Sequence, residues 1–210
     1  MTIKKRLLYF ILFILSQAIY LPLNKYLQGG VALKLPLDLI IPILPGWAIP
    51  YSLWMISWFW LSLWAALKMP ADLFKSYTTA TLIVILSAMV VFTVFPTYVD
   101  RLPVQGSGFG TDVLRWVYSN DGLYCAFPSG HIYLATLTAL FYSRWHPRST
   151  WFWSIILLII ACSTLFTGQH YILDVVGGLV FALTGTFLGV KLSQPRNIFK
   201  KNSSKETASF

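Results

Sequence analysis

Charged residues are scarce in this chain. Asp, Glu, Lys and Arg make up 11% of the 210 residues, only seven residues are acidic, and histidine occurs three times. By contrast, 57% of the residues are hydrophobic and 17% are aromatic, and the mean hydropathy is +0.67. A soluble domain of this length could not cover so much apolar surface. The composition therefore predicts an integral membrane protein with several spans.

Six stretches are apolar enough to predict membrane-spanning helices. They are residues 7–23, 51–67, 77–95, 131–142, 151–166 and 171–192. We therefore predict an all-α fold, a bundle of six transmembrane helices. Residues 1–50 would form the first span and an extracytoplasmic loop, and residues 51–192 a five-helix core. Residues 193–210 are polar, and we predict a disordered cytoplasmic tail there.

The formal net charge of +9 raises the question of nucleic-acid binding. If the amino terminus is cytoplasmic, twelve of the sixteen basic residues fall in cytoplasmic segments and four in outer ones. This bias follows the positive-inside rule, so membrane topology explains the charge without a nucleic-acid partner. It places both termini in the cytoplasm.

Two polar clusters interrupt the apolar sequence: FPSGH at residues 127–131 and GQHYILD at residues 168–174. They hold two of the three histidines, His131 and His170. In the predicted topology both clusters lie at the extracytoplasmic face, as does the loop 96–127 with Arg101 and Arg115. A proline-interrupted apolar stretch at residues 35–47 is predicted to be interfacial or re-entrant and to cover this face.

The first cluster is typical of a helix start. Ser129 is a good N-cap, and Gly130 allows close approach to the backbone. Free N–H groups at a helix start favour anions. His131, in the first turn, could then protonate a leaving-group oxygen.

In the second cluster, His170 and Asp174 are four positions apart and would share one helix face. A carboxylate bonded to one imidazole nitrogen fixes the tautomer and leaves the other nitrogen free, as in catalytic triads. An imidazole held in this way can act as a nucleophile towards phosphorus.

Simpler interpretations stay open for the same residues. A histidine at the end of a span is often only interfacial. Asp174 could serve a proton or ion relay in a transporter, although the polar residues gather at one face instead of lining several spans. A zinc site would lack a third imidazole or thiolate, and the two cysteines, Cys125 and Cys162, are better explained by packing.

These motifs resemble the type 2 phosphatidic acid phosphatase superfamily. The resemblance covers roughly residues 50–192 and implies a phosphatase-like core of helices. It implies that His170 is the nucleophile, that Asp174 orients it and that His131 protonates the departing alcohol. Ser129 and Gly130 would hold phosphate oxygens.

Two departures from the family pattern stand out. The family's first motif has a lysine seven residues before Arg-Pro, whereas here position 94 is valine and Leu102 separates Arg101 from the proline. The arginine of the third motif is replaced by Thr164. Arg101, and Arg115 as a substitute, are the predicted substrate-binding cations.

The expected function is a lipid phosphatase that cleaves a phosphomonoester or pyrophosphate through a phosphohistidine on the extracytoplasmic face. It would need no metal or other cofactor, because the nucleophile is an imidazole. The alternative is a lipid phosphotransferase that resembles the inositol-phosphorylceramide synthase branch and passes a phosphoryl headgroup to a lipid alcohol. The substrate is expected to be a lipid phosphate, and no pattern indicates an oligomeric state.

Overall fold

The computed structural model describes residues 1–193, so the predicted tail lies, except for Ser193, outside the described residues. Helices account for most of the described chain. They are α1 (Ile3–Ala18), α2 (Tyr20–Tyr26), α3 (Ala48–Lys68), α4 (Ala71–Val94), α5 (Phe109–Asn120), α6 (Gly130–Trp145), α7 (Thr150–Phe166) and α8 (Ile172–Ser193). Extended pairing over residues 1–193 is limited to two isolated bridges. The all-α prediction is confirmed.

Four helical stretches are long and apolar enough to cross a membrane: Ile3–Tyr26, Ala71–Val94, Pro147–Phe166 and Ile172–Ser193. Large apolar side chains are exposed along them, for example Leu15, Val90, Leu158 and Phe187. Such surfaces are suited to lipid, and the chain is an integral membrane protein.

The other two predicted spans, α3 and α6, do not reach the same criteria, so the count of six stays a prediction. Helix α6 has only 16 residues, whereas a span of the hydrocarbon core takes about 20. Helix α3 has 21 residues, but four are tryptophans, whose indole rings suit the interface. Both helices nevertheless lie within the same bundle as the four apolar ones.

The bundle is centred on α4, α6 and α8. Helix α4 packs along α8, α6 packs against α7 and α8, and α1 packs against α3 and α4. Large aromatic side chains fill the centre, including Phe13, Tyr77, Phe92 and Tyr133, all fully buried. Tyr77 satisfies its hydroxyl with Ser62, 3.0 Å away.

Small residues let α8 approach α4 closely. Gly185 and Gly189 are spaced as in the small-residue interfaces of membrane helices. A Cβ added to Gly189 would lie 2.6 Å from the backbone of Ala80, and one added to Gly185 would lie 2.1 Å from a methyl group of Val84. Any larger residue at Gly189 would therefore separate the two helices.

The proline-rich residues 35–47, here called the cover segment, form no continuous helix. Two short 3-10 turns, Pro36–Ile40 and Pro45–Trp47, interrupt an extended chain, as expected when prolines remove helical hydrogen bonds. The backbone N–H of Leu44 donates to the carbonyl of Phe166 at 2.8 Å. The cover segment therefore lies against the turn between α7 and α8.

Candidate active site

The helix start in FPSGH is held against α8. Ser129 occupies the N-cap position of α6, and its backbone N–H donates to the carbonyl of Asp174 at 3.0 Å. A Cβ on Gly178 would lie 2.8 Å from the Ser129 carbonyl, so α8 has no room for a side chain there. These contacts join two motifs that are about forty residues apart in the sequence.

His170 and Asp174 lie on one side of the start of α8. The Nδ1 atom of His170 is 3.6 Å from Oδ2 of Asp174, a distance slightly longer than a hydrogen bond. Oδ2 also accepts the backbone N–H of Tyr171 at 2.8 Å. Asp174 is fully buried. Because Nδ1 of His170 faces the carboxylate, Nε2 is the ring nitrogen that is available to contact a substrate.

The ring of His131 lies near that of His170, with their centroids 6.4 Å apart. His131 also stacks on Tyr51 of α3, at a centroid distance of 3.9 Å and an interplanar angle of 18°. The Tyr51 hydroxyl donates to Asp121 at 3.0 Å, and the Tyr20 hydroxyl donates to the other oxygen of the same carboxylate at 2.9 Å. The imidazole of His131 therefore stacks on an aromatic ring whose own position is fixed by the hydrogen bond from Tyr51 to Asp121.

Arg101 lies beside the same turn, and its terminal nitrogens are largely occupied. Nη1 donates to the carbonyl of Asp121 at 2.7 Å, and Nη2 donates to the carbonyl of Gly122 at 2.6 Å and to Oε1 of Gln169. The guanidinium lies over the Tyr118 ring, 4.8 Å from its centroid. Burial of Tyr118 raises the pKa of its phenol, an effect that the nearby cation of Arg101 reduces.

Arg115 is on an exposed face of α5. Its guanidinium pairs with Asp112 at 3.2 Å and donates to the carbonyls of Gly106 at 2.7 Å and Val104 at 3.5 Å. These bonds direct Arg115 towards the loop that precedes α5, and within residues 1–193 Arg115 makes no hydrogen bond or ion pair with another candidate site residue.

Buried side-chain atoms without a hydrogen-bond partner are concentrated at this site. Of twelve such atoms in residues 1–193, six belong to it: Arg101 Nε, Ser129 Oγ, His131 Nε2, Gln169 Nε2, His170 Nδ1 and Asp174 Oδ1. Buried polar atoms normally find a partner, and leaving one unpaired is costly. A set made mainly of donors and imidazoles is suited to an oxyanion.

A cavity of about 180 Å³ adjoins His170 beneath the cover segment. Its polar lining includes Lys34, Asp38, Asp100 and His170, and the rest is largely aliphatic. The Nζ atom of Lys34 is 5.7 Å from the centroid of the Tyr171 ring. A larger depression of about 530 Å³ beside residues 44–50 contains no titratable side chain, so of these two cavities only the smaller adjoins a candidate catalytic residue, His170.

No group of three His, Cys, Asp or Glu side chains within residues 1–193 is arranged to hold a metal ion. Two imidazoles and one carboxylate form instead the arrangement expected for nucleophilic catalysis, with a carboxylate behind one imidazole and the second imidazole across the site.

Comparison with known proteins agrees with this geometry. Residues 46–188, more than half of the chain, match the model of the PAP2 superfamily. This chain belongs to the PAP2 superfamily. The matched region includes α3 to α7, both candidate site histidines (His131 and His170) and most of α8. The match places the chain in a family of lipid phosphatases and phosphotransferases.

Within the PAP2 superfamily, the chain is similar to the inositol phosphorylceramide synthase catalytic subunit aur1 of Schizosaccharomyces pombe (strain 972 / ATCC 24843), with 36% identity over 90 residues. The alignment covers 42% of this chain and 21% of that protein, so the chain corresponds to about a fifth of the relative's length. The resemblance inferred from the motifs, including that to the inositol-phosphorylceramide synthase branch, is confirmed. No solved structure matches the chain.

Sequence reasoning missed several residues at the site, including Tyr51, Asp121 and Lys34. Tyr51 and Asp121 have no local motif, and only tertiary packing brings them to His131. Gln169 could have been found, because it lies inside the GQHYILD cluster directly before His170.

Proposed function

We propose that this protein is an integral membrane lipid phosphatase that cleaves a phosphomonoester or pyrophosphate through a phosphohistidine on His170. The observation that carries the proposal is the pair of imidazoles of His131 and His170, 6.4 Å apart between centroids, with the buried Asp174 carboxylate behind His170. Membership of the PAP2 superfamily supports it.

In the first step, Nε2 of neutral His170 attacks the phosphorus atom, and the bond from phosphorus to the lipid oxygen breaks. Protonated His131 gives its Nε2 proton to that oxygen, so that the lipid alcohol leaves neutral. Asp174 faces Nδ1–H of His170 and stabilises the positive charge that develops on this imidazole.

In the second step, water attacks the phosphohistidine. His131, now neutral, takes a proton from that water, the phosphorus–nitrogen bond breaks, and phosphate leaves. Both histidines return to their starting protonation states. The proposal needs no metal because the nucleophile is an imidazole, and the buried donors around it stabilise the charge on the phosphoryl oxygens.

The expected orientation has the active site on the extracytoplasmic face and both termini in the cytoplasm. Support comes from the distribution of basic residues, twelve of sixteen of which fall in the segments that would be cytoplasmic. A lipid substrate is consistent with the exposed apolar side chains of the cover segment beside the site, Leu37, Leu39 and Ile40.

A second candidate function is transfer of the phosphoryl headgroup to a lipid alcohol. The similarity to the inositol phosphorylceramide synthase subunit favours it. The first step would be unchanged, and a lipid hydroxyl would replace water in the second.

The test uses the full-length protein purified in detergent micelles, with phosphate-labelled lipids and a mixture of lipid alcohols. Wild type is compared with His170→Ala and Asp174→Asn, and label is followed into free phosphate and into new lipid. His146→Ala is the matched control, because this third histidine is exposed at the opposite end of α6.

We expect His170→Ala to lower turnover by at least about 1,000-fold, and Asp174→Asn by about 100-fold or more, while the control keeps wild-type activity. Label in free phosphate supports the phosphatase, and label in a new lipid supports the transferase. Turnover that survives His170→Ala would refute the phosphohistidine.

A further inference from the structure

Gln169, the residue before His170, has a buried amide whose two ends differ sharply. Gln169 is only 4% exposed to solvent. The oxygen Oε1 accepts a hydrogen bond from Nη2 of Arg101, whereas Nε2 has no partner among the described residues. The amide group is thus satisfied at one end only.

The orientation of this amide follows from its partner. A guanidinium has five N–H donors and no acceptor, so only the oxygen end of an amide can face it. The NH₂ group of Gln169 must therefore point away from Arg101. It is a donor without an acceptor, in the same set of unpaired buried atoms as those of Ser129 and His131.

The backbone around Gln169 is fixed as well. The N–H groups of Gln169 and His170 both donate to the carbonyl of Thr164, at 3.1 and 3.2 Å. Gly168 before them has a φ of +62°, and a Cβ there would lie 2.8 Å from Ile43 of the cover segment. A side chain on such a turn is presented in one direction, which preorganises its donor.

Arg101 alone cannot replace the donors of the two basic residues that the family pattern has and this chain lacks, the lysine at position 94 and the arginine at position 164. Hydrogen bonds to Tyr118, Asp121, Gly122 and Gln169 occupy its two terminal nitrogens and leave only Nε. Thr164, where the family has arginine, donates its hydroxyl to the carbonyl of Ala161 within α7.

We propose that Gln169 is a substrate-binding residue whose Nε2 donates a hydrogen bond to an oxygen of the transferring phosphoryl group. Arg101 is a positioning residue that holds the amide in this orientation. The neutral amide of Gln169, held in place by the Arg101 guanidinium, thus takes over part of the phosphate binding that basic side chains perform in the family pattern. This inference rests on the proposed phosphoryl chemistry at His170.

The decisive variant is Gln169→Glu, which keeps the size of the side chain and an acceptor for Arg101 but removes the NH₂ donor and adds a negative charge. Gln169→Leu removes both ends. Gln28→Glu makes the same charge change on an exposed residue and is the matched control. All are made in the full-length protein in detergent micelles.

Two readouts separate binding from folding. The inhibition constant for vanadate, a mimic of the transferring phosphoryl group, is measured from turnover. The vanadate-induced rise in Tm is measured without turnover, and the Tm in the absence of vanadate reports folding. Loss of a hydrogen bond to a charged group predicts that Gln169→Glu raises the vanadate inhibition constant by about 10- to 100-fold, with Gln28→Glu unchanged.

If Gln169 serves only to hold Arg101, Gln169→Glu will bind vanadate as wild type does and Gln169→Leu will not, and the inference is overturned. If both variants bind vanadate normally, it is also overturned, while a loss of turnover in His170→Ala would leave the proposed function standing. A wild-type protein with neither turnover nor vanadate binding would overturn both proposals.

Discussion

The cover segment is attached to the turn that carries His170 through one carboxylate, that of Asp38. Oδ1 of Asp38 accepts the backbone N–H of Ile172 at 2.9 Å, and Oδ2 accepts that of Leu35 at 2.7 Å. Ile172 is the first residue of α8 and lies two positions after His170. Asp38→Ala should therefore loosen the cover segment and the start of α8 together.

The expected size of this effect follows from the two bonds. A hydrogen bond to a charged group contributes about 1.5–3 kcal/mol, and the partial exposure of Asp38 favours the lower end of that range. Two such bonds near the lower end give roughly 3–4 kcal/mol, which corresponds to a fall in Tm of about 6–16 °C for a protein of this length. Asp38→Asn keeps one acceptor oxygen, so its Tm should fall by about half as much.

Thermal unfolding in detergent micelles, followed by tryptophan fluorescence, measures this effect, and turnover is measured beside it. We expect turnover to fall in the same order, with Asp38→Ala below Asp38→Asn, because the cover segment borders the cavity beside His170. Asp112→Ala is the control, since it removes a carboxylate from an exposed pair with Arg115 that is worth about 0–1 kcal/mol. Equal Tm values for Asp38→Ala and Asp112→Ala would refute the role of Asp38.

Three further predictions concern packing around the site and in the bundle. Tyr51→Leu should lower kcat by at least about 10-fold through loss of the ring beneath His131, whereas Tyr51→Phe, which keeps the ring, should lose less; steady-state kinetics measures both. Burial and a nearby carboxylate raise the pKa of Cys125 to about 12, so mass spectrometry should find this thiol unmodified by maleimide at neutral pH until the protein is unfolded. Gly189→Ala should lower stability by about 1–3 kcal/mol by thermal unfolding, because it forces α8 from the backbone of α4; Gly46→Ala, with open space around it, should not.

The helical class, the membrane and the family could all be predicted from the sequence. Each depends on a signal that is local or summed over the chain: hydropathy, the spacing of His170 and Asp174, and the helix start at Ser129. Ser129 and Asp174 come together because α6 and α8 pack side by side, and the lack of a side chain at Gly178 permits this close approach. The catalytic roles assigned to these residues stay predictions.

Side-chain direction could not be predicted in the same way. Arg101 and Arg115 both belong to the loop region between α4 and α6, and composition does not distinguish them. In the structure, carbonyls of the chain fix Arg101 beside Gln169, whereas Asp112 and the loop before α5 hold Arg115 at the surface. Such choices depend on contacts between segments distant in sequence, for which a single chain contains no periodic signal.

The boundaries of α6 show a related limit. The apolar stretch 131–142 is too short for a span by composition, yet the helix runs over Gly130–Trp145. Its additional residues are accommodated by neighbours: Trp145, for example, packs against Tyr142 and against Trp64 of α3. Tertiary packing therefore extends the helix beyond the apolar pattern.

The candidate catalytic residues and part of the cavity lining lie in different parts of the chain, and this difference concerns which lipid the protein accepts. The residues proposed as nucleophile, acid and orienting carboxylate all lie within residues 46–188, the part that matches the PAP2 superfamily. Lys34 and Asp38, which line the cavity beside His170, precede that region. The proposed chemistry at phosphorus requires a fixed arrangement of the two imidazoles, whereas recognition of a particular lipid requires contacts outside the reacting atoms. We therefore expect exchanges within residues 34–45 to change which lipid is accepted more than they change the chemical step.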